Sequence, residues 1–563
     1  MRLQRLIQAV SLGFFVVLLW LAAHPLIDWV PVDLFLRLDP VVGLAVMVGI
    51  REFIPALIPG LVVAAAGLLI GRAFCGHVCP MGTTLDVVQR FVVSPAKRPV
   101  KSVTAEATRS RRWWKYAFLL LIVASSIFGV SLVFLGSPIS LITRFYGLCL
   151  YPVLTLSGDW GMRAVGPALG FVGLQDLAYI DLNRRVFAGG FFWFAVFICI
   201  TCLALLDPRF WCRYLCPAGA LIALFSGRPL VRRRVAEGCT RCGRCIRNCP
   251  TSAISEEPHK TVHSECIVCL RCVKVCPEHV VSFGIKRVAA VPSFAQVDMT
   301  RRRMVLAVGA GAMSAGLLRS GLEQPTPIGK EAALVDPDLI RPPGSVPEVS
   351  FMTRCIRCGE CMKACPTNTL QPIWLKAGLE GLFTPVVMPR LAACAVTCNV
   401  CGQVCPTGAI RAVNLTEKNH AKIGSAYLIR QKCLVWKQDK KCLVCDEVCP
   451  FRAVSFRMVP GLKNAAPFVL ENRCLGCGWC ESRCPVSGGA AIRVSIGGEV
   501  RLTTGSYVEA AKQYGLEFKA KDSEQNRLGP ETFSPSGMEP YAGEKGGLRP
   551  APSEDLPPGF TAK

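Results

Sequence analysis

The chain has 563 residues, 52% of them hydrophobic, with a mean hydropathy of +0.40 and a formal charge of +25. That length calls for several cores, and that hydropathy excludes an ordinary soluble protein, so membrane helices are expected. The 31 cysteines would mean a disulfide scaffold in a small secreted chain, but nearly all fall here into tight ligand runs, and the basic residues lie beside apolar stretches, which excludes a nucleic-acid surface and fits membrane lipid.

Arg2 and Arg5 precede an apolar stretch from Leu6 to Ala23, and no small-residue cleavage site follows it, so a first transmembrane helix is expected there. A second lies within Val41 to Ile70, cleanest from Ile54, with Arg51 and Glu52 interrupting it near the outer face. The third is Phe118 to Leu135, entered through Trp113 and Trp114 as an interfacial pair, and the fourth is Val186 to Leu206. Residues 91–115 carry Lys97, Arg98, Lys101, Arg109, Arg111, Arg112 and Lys115, while residues 25–40 carry only Arg37. Six arginines follow the fourth helix before Glu237. These basic segments place both ends of the four-helix domain, residues 1–235, in the cytoplasm; Arg184 and Arg185 count against that orientation.

The second and fourth helices end in matched C-x3-C-P motifs, Cys75 and Cys79 before Pro80, and Cys212 and Cys216 before Pro217. Two copies on one side suggest an internal duplication with a redox or metal-ligand role. They lack, however, the C-x2-C-x2-C core of a cube-binding run. That core comes next, twice, in residues 236–285. One run is Cys239, Cys242, Cys245 and Cys249 before Pro250; the other is Cys266, Cys269, Cys272 and Cys276 before Pro277. Three thiolates at two-residue gaps wrap one [4Fe–4S] cube, and the fourth, beyond a three-residue step, reaches the other cube. The ligand sets expected are Cys239, Cys242, Cys245 with Cys276, and Cys266, Cys269, Cys272 with Cys249. Zinc sites come instead as separated pairs.

Four helices, two C-x3-C-P motifs and a two-cluster ferredoxin resemble the NapH family of membrane quinol dehydrogenase subunits, relatives of NosR and of RdxA/FixG, over residues 1 to about 285. No Ser/Thr-Gly-Ala-Thr flavinylation sequence of the NosR kind is present. Residues 286–350 follow as a connecting region. In it Thr300, Arg301, Arg302 and Arg303 precede an apolar stretch, Leu306 to Leu318, in the manner of a twin-arginine export signal, and a fifth span with its amino end inside is expected. Its prolines, from Pro325 to Pro347, predict an extended linker.

Four further runs occupy residues 351–515. They are Cys355, Cys358, Cys361, Cys365; Cys394, Cys398, Cys401, Cys405; Cys433, Cys442, Cys445, Cys449; and Cys474, Cys477, Cys480, Cys484, each closed by Pro. This domain resembles the four-cluster ferredoxins NapG and MauM. Related four-cluster subunits nest their runs, and that resemblance implies that Cys484 completes the first cube and Cys365 the fourth, with Cys449 joining Cys394, Cys398 and Cys401, and Cys405 joining Cys433, Cys442 and Cys445. Sequential pairing is the alternative. Residues 516–563 are polar and expected to be a disordered tail.

The fold class expected is therefore multidomain: an α-helical membrane bundle of four helices plus a fifth, with α+β ferredoxin-like two-cluster and four-cluster [4Fe–4S] domains. Cys149, Cys199 and Cys202 fall outside the ligand runs and are expected to be inert core residues. His24 and His77 lie at opposite membrane faces, so no haem of its own is expected. The resemblance implies a quinol-dependent electron carrier of a bacterial inner membrane, not a substrate-transforming enzyme. It would hold six [4Fe–4S] clusters, with the two-cluster domain cytoplasmic and the four-cluster domain periplasmic, and serve a periplasmic oxidoreductase or cytochrome. The rival reading is a metalloenzyme assembly factor of the FixG and NosR kind. Glu52 is the carboxylate expected to take the quinol proton, or else to anchor the helix with Arg51.

Overall fold

The computed structural model describes residues 2–27, 29–92, 111–171, 185–285, 299–319, 339–375 and 377–518. Lys97, Arg98, Lys101, Arg109, Arg184, most of the expected linker and all of the expected tail beyond Phe518 lie outside these residues. The chain divides into two units. The first comprises Met1–Ala22, Ile27–Arg319 and Met352–Glu360; the second holds Ala23–Leu26, Ser320–Phe351 and the chain from Cys361 onward.

Among the described residues two helices of the first unit, Leu3–Leu21 and Pro138–Ala164, are long and apolar enough to cross a membrane. Shorter apolar helices are Pro40–Ile50, Pro55–Ile70, Trp113–Ile127 and Gly190–Leu206. Three of these differ from expectation. The expected helix within Val41 to Ile70 is Pro55–Ile70, and the stretch before the Arg51 interruption is a helix of its own: at Arg51 the backbone turns left-handed (φ 58°) and the chain reverses. Pro40–Ile50 and Pro55–Ile70 then lie antiparallel, with Gly43 against Leu57 and Gly60 against Asp39. A Cβ on Gly60 would meet the Asp39 carbonyl at 2.7 Å, so only glycine permits that approach. Asp39 and Pro40 start their helix as a side-chain cap and a preset first residue. The Asp39 carboxylate accepts from the Val41 amide (3.0 Å) and the Ser137 hydroxyl (2.6 Å). The third helix ends at Ile127 rather than Leu135, and the fourth begins at Gly190. The long helix from Pro138 was not expected at all, because Arg144, Asp159 and Arg163 dilute its apolar pattern.

Arg301–Arg319 is helical and runs parallel to Trp113–Ile127. Arg303 lies over the Trp113 ring (4.8 Å), and Gly311 packs so tightly on Leu121 and Ala124 that a Cβ would clash at 2.7 Å.

The cysteine runs sit in three copies of one module. In the first unit, antiparallel strands β1 (Val231–Val235) and β2 (Val281–Ile285) bracket two consecutive runs, and an inner bridge joins Ile254 to Thr261 between them. In the second unit the Ser345–Ile410 bridge closes the stretch of sequence that holds the next two runs, with β3 (Leu370–Pro372) and β4 (Pro385–Val387) between, although Cys355 and Cys358 of the earlier run belong to the first unit. The third copy is bracketed by β5 (Ser425–Leu428) and β8 (Ile492–Ser495) around the hairpin of β6 (Val454–Arg457) and β7 (Ala466–Val469). Closing a module on neighbouring runs keeps its loops short, which costs least chain entropy.

The proline-rich stretch is only in part a linker. Arg341 is buried, donates to Glu348, Thr384 and the Pro385 carbonyl, and ties residues 339–350 into the second unit. At the other end the structure continues past 515, where the Glu517 amide bonds the Asn472 carbonyl and Phe518 packs on Phe451.

Candidate functional site

The four regular runs share one backbone device. The second residue after the first cysteine and the residue after the second cysteine are left-handed: Arg241 and Gly243, Val268 and Leu270, Arg357 and Gly359, Gly476 and Gly478. Val268 is β-branched, and holding it at φ 54° is costly. Such a loop turns around a point instead of extending, which brings its thiols to a common centre.

Backbone amides aim at several of those thiols. Ala253 donates to Cys249, Ala453 to Cys449, Ala491 to Cys484 and Ala426 to Cys474, each at 3.3 Å. Thr251, Thr367 and Thr407 place hydroxyls 3.6–3.8 Å from Cys249, Cys365 and Cys405. Donors to sulfur favour the thiolate form, as a metal cluster requires. Among the described residues no three His, Cys, Asp or Glu side chains could share a single metal ion.

The structure groups the thiols by neighbourhood. Cys239, Cys242, Cys245 and Cys276 line one cavity. Cys249 lies near enough to Cys266 and Cys269 for their charges to interact. Those are the two sets expected for the two-cluster domain. In the second unit the nested pairing is wrong. Cys365 stands with Cys394, Cys398 and Cys401, not with the fourth run. Cys449 lines the cavity of Cys474, Cys477 and Cys480. Cys484 lines that of Cys433, Cys442 and Cys445. The reason is the bracketing described above: each module closes on two consecutive runs. The groups of Cys394 and of Cys477 adjoin, since the Cys394 amide bonds the Cys477 carbonyl at 2.8 Å.

Sequential pairing makes a sharp forecast. Cys365→Ser and Cys394→Ser strike one cage, so the double variant should lose no more iron than the worse single variant. Cys365→Ser with Cys474→Ser strikes two cages, and the losses should add. Iron and sulfide assays decide, and additive losses in the first pair would restore the nested scheme.

The two C-x3-C-P motifs come together. Cys75, Cys79, Cys212 and Cys216 are close enough for each to feel the charge of the others. Both motifs end in the same wide turn, the Cys79 amide bonding the Phe74 carbonyl and the Cys216 amide that of Trp211, five residues back. In each, the second sulfur caps the following helix: Cys216 accepts from the Gly219 amide (3.2 Å), and Cys79 from that of Gly82.

The motif is longer than its cysteines. Arg72 and Arg209, each three residues before the first cysteine, are buried and cross over. Arg72 donates to the Cys212 carbonyl (3.2 Å) and Arg209 to the Cys75 carbonyl (2.9 Å). Gly82 lies against Arg209 and Gly219 against Arg72, so the full repeat is Arg-x2-Cys-x3-Cys-Pro-x-Gly. The signal was legible, since both arginines and both glycines stand at equal offsets; Arg209 was instead counted for topology, and Arg72 was given no role.

Carboxylates answer these cations. Glu265 accepts from Arg72 (2.9 Å) and Lys115 (2.5 Å); Asp86 accepts from Arg209 (2.7 Å) and lies 3.7 Å from Arg271. Burial would raise the Asp86 carboxyl, but Arg209 and Arg271 outweigh it and hold Asp86 at about 2. Of the remaining expected residues, Cys149 is buried, but Cys199 and Cys202 are exposed on their helix rather than in a core. Glu52 does not pair with Arg51: it is 64% exposed and reaches Arg354 at 2.7 Å.

Comparison with known families places these groups. A 4Fe-4S binding domain matches residues 53–99 and 190–235, one C-x3-C-P motif in each. A 4Fe-4S dicluster domain matches residues 232–277, and a second matches 354–409, which takes the Cys355 and Cys394 runs as one unit. The methylamine utilization ferredoxin-type protein MauM of Methylorubrum extorquens is 35% identical over 191 residues, 32% of this chain and 84% of that protein. MauM of Paracoccus denitrificans is 36% identical over 208 residues, 35% of this chain and 91% of that protein. The ferredoxin-type protein NapG of Escherichia coli is 32% identical over 183 residues, 31% of this chain and 76% of that protein.

Proposed function

Because the chain belongs to the ferredoxin-type 4Fe-4S proteins related to MauM and NapG, we propose that it is a fusion of a NapH-like membrane domain to that ferredoxin, and that it passes electrons from quinol to a periplasmic oxidoreductase. The clusters supply one-electron transfer and no bond chemistry. The residues supply the cages, the amide and hydroxyl donors on sulfur, and the order of the cages along the chain.

One observation carries the reading. Two apolar helices of the first unit each meet the two-cluster domain at one end and residues 352–360 at the other. Pro55–Ile70 runs from Glu52, paired with Arg354, to Arg72, paired with Glu265. Trp113–Ile127 runs the opposite way, from Lys115 on Glu265 to Gly129, whose carbonyl accepts from Thr353 (2.7 Å). At 1.5 Å per residue these helices are roughly 22–24 Å long, a large part of an apolar layer of about 30 Å. The Arg301–Arg319 helix, parallel to Trp113–Ile127, carries the chain in the direction that crossing requires. This supports a two-cluster domain on the basic, cytoplasmic side and the Cys355 run on the other.

Two experiments test the proposal. Reporter fusions after Ile285 and after Leu516 should give opposite compartment readouts; equal readouts would mean that Arg301–Arg319 does not cross. In membrane vesicles a reduced quinol should bleach the cluster absorbance of the full chain. Absorbance that responds to dithionite but never to quinol would end the quinol reading.

A further inference from the structure

We propose that electrons leave the second unit at the cage of Cys433, Cys442, Cys445 and Cys484, and that the lysine-bearing loop between Cys433 and Cys442 docks an acidic redox protein there. The inference deepens the proposed function and rests on it for the direction of flow, but the surface itself is independent of quinol.

The order of the thiol groups marks the end of the path. The Cys394 group meets the Cys474 group through the bond from the Cys394 amide to the Cys477 carbonyl. Cys480 lines both the cavity of Cys474 and Cys477 and that of Cys433, Cys442 and Cys445. The three groups therefore form a row, with the Cys433 group at its far end. That group is also the more open one of its module. Cys449, Cys474 and Cys477 are buried, whereas Cys442, Cys445 and Cys484 are half-buried. The short loop after Cys474 is uncharged, and its Gly476 presses on the Gly424 backbone. A partner reaches the Cys433 cage, not its neighbour.

The surface at that cage is fixed and charged. The first gap of this run is eight residues where a regular run has two, and the longer loop carries Lys437, Lys440 and Lys441. Leu434–Gln438 forms a short helix, which ends at Asp439 in the left-handed conformation (φ 48°). Asp439 is the one acid between Lys432 and Lys441, and it is occupied: its carboxylate accepts from the amides of Lys463 (2.8 Å) and Asn464 (2.9 Å). Those bonds hold the loop in place and bring Lys463 beside it. Trp436 braces the same loop, its ring 5.5 Å from that of Phe468, and the Arg457 guanidinium lies 5.5 Å from the Phe468 ring. Lys432, Lys437, Lys440, Lys441, Arg457 and Lys463 are exposed, and among the described residues none of the six pairs with a carboxylate. Like charges held on one face repel one another. An acidic surface relieves that repulsion and is steered toward the cage by it. Met458, next to Arg457 and 55% exposed, supplies apolar contact within the basic rim.

Docking is read first without electron flow. The oxidised full-length chain in detergent is titrated with oxidised plastocyanin, an acidic copper protein, and with mitochondrial cytochrome c, a basic haem protein. The natural chain should bind plastocyanin at low salt and release it as ionic strength rises. The variant K437E/K440E/K441E/K463E, with its iron content unchanged, should bind plastocyanin at least about tenfold more weakly and should gain affinity for cytochrome c. Equal affinities in the two proteins, or a natural chain that prefers cytochrome c, overturn the proposal.

Electron exit is read second. The chain is reduced with dithionite, the excess is removed, and reoxidation by plastocyanin is followed at the cluster absorbance. Each event moves one electron from the chain to the copper, with no proton taken up and no bond broken. The second-order rate should fall about tenfold to a hundredfold in the variant, and the difference should vanish at high salt. An unchanged rate overturns the proposal, whether the lysines then meet anionic lipid or only solvent. Dithionite bypasses quinol, so failure of the quinol reading is distinguishable from failure of the docking surface.

Discussion

Replacing Glu265 by Gln should cost the first unit about 3–5 kcal/mol, because breaking a buried ion pair leaves its partners uncompensated. Glu265 is 3% exposed and is the shared acceptor of Arg72 and Lys115, both essentially without solvent contact. Burial would raise its carboxyl; Lys115, then Arg72, reverse that and hold it below the ordinary value. Gln keeps the shape and one acceptor but removes the charge, so two cations stay buried against a neutral amide. The loss should appear as an earlier thermal release of visible cluster absorbance from the two-cluster domain, with the second unit unaffected. Glu265→Asp should fall between. An unchanged transition in Glu265→Gln would show that these cations find water or another anion.

The second large effect belongs to Glu348. It accepts from Arg341 (2.6 Å) and Arg501 (2.5 Å), and Arg501 also bonds Glu499 (2.7 Å). Arg341 precedes the first run of the second unit and Arg501 follows the last, so the cluster fastens the domain's two ends. Burial pushes the Glu348 carboxyl up, but Arg341 and Arg501 prevail and hold it at about 2, against an ordinary 4.5. A depressed pKa gives stability that is whole above pH 4.5 and is lost as pH falls toward 2. The shift is worth about 3 kcal/mol. Glu348→Gln should remove a similar amount at neutral pH and flatten the acid dependence between pH 4.5 and 2, read as the acid midpoint of cluster loss. A variant with the same acid midpoint as the natural chain would sink this account.

What the sequence by itself determined is whatever depends on spacing along the chain. Two-residue gaps between thiols define a cage because three neighbouring residues must reach one cluster, so the four regular runs were legible from those gaps; the two with a wider first gap were legible from their closing C-x2-C-x3-C-P, as was the duplication of the C-x3-C-P motif. The apolar stretches were legible as helices. Pairing between runs was not, since any fourth cysteine followed by Pro can reach any cage of matching size. It was decided by the brackets β1 with β2, Ser345 with Ile410, and β5 with β8, which close each module on its two nearest runs.

The hairpin at Arg51 was hidden for a related reason. Hydropathy averages over a window and cannot register a single left-handed residue, nor the approach of Gly60 to Asp39 that the reversal allows. The convergence of Cys75, Cys79, Cys212 and Cys216 is tertiary in the same sense. Residues more than a hundred positions apart meet only because Arg72 and Arg209 cross, and that exchange of carbonyl contacts has no counterpart in either motif read alone.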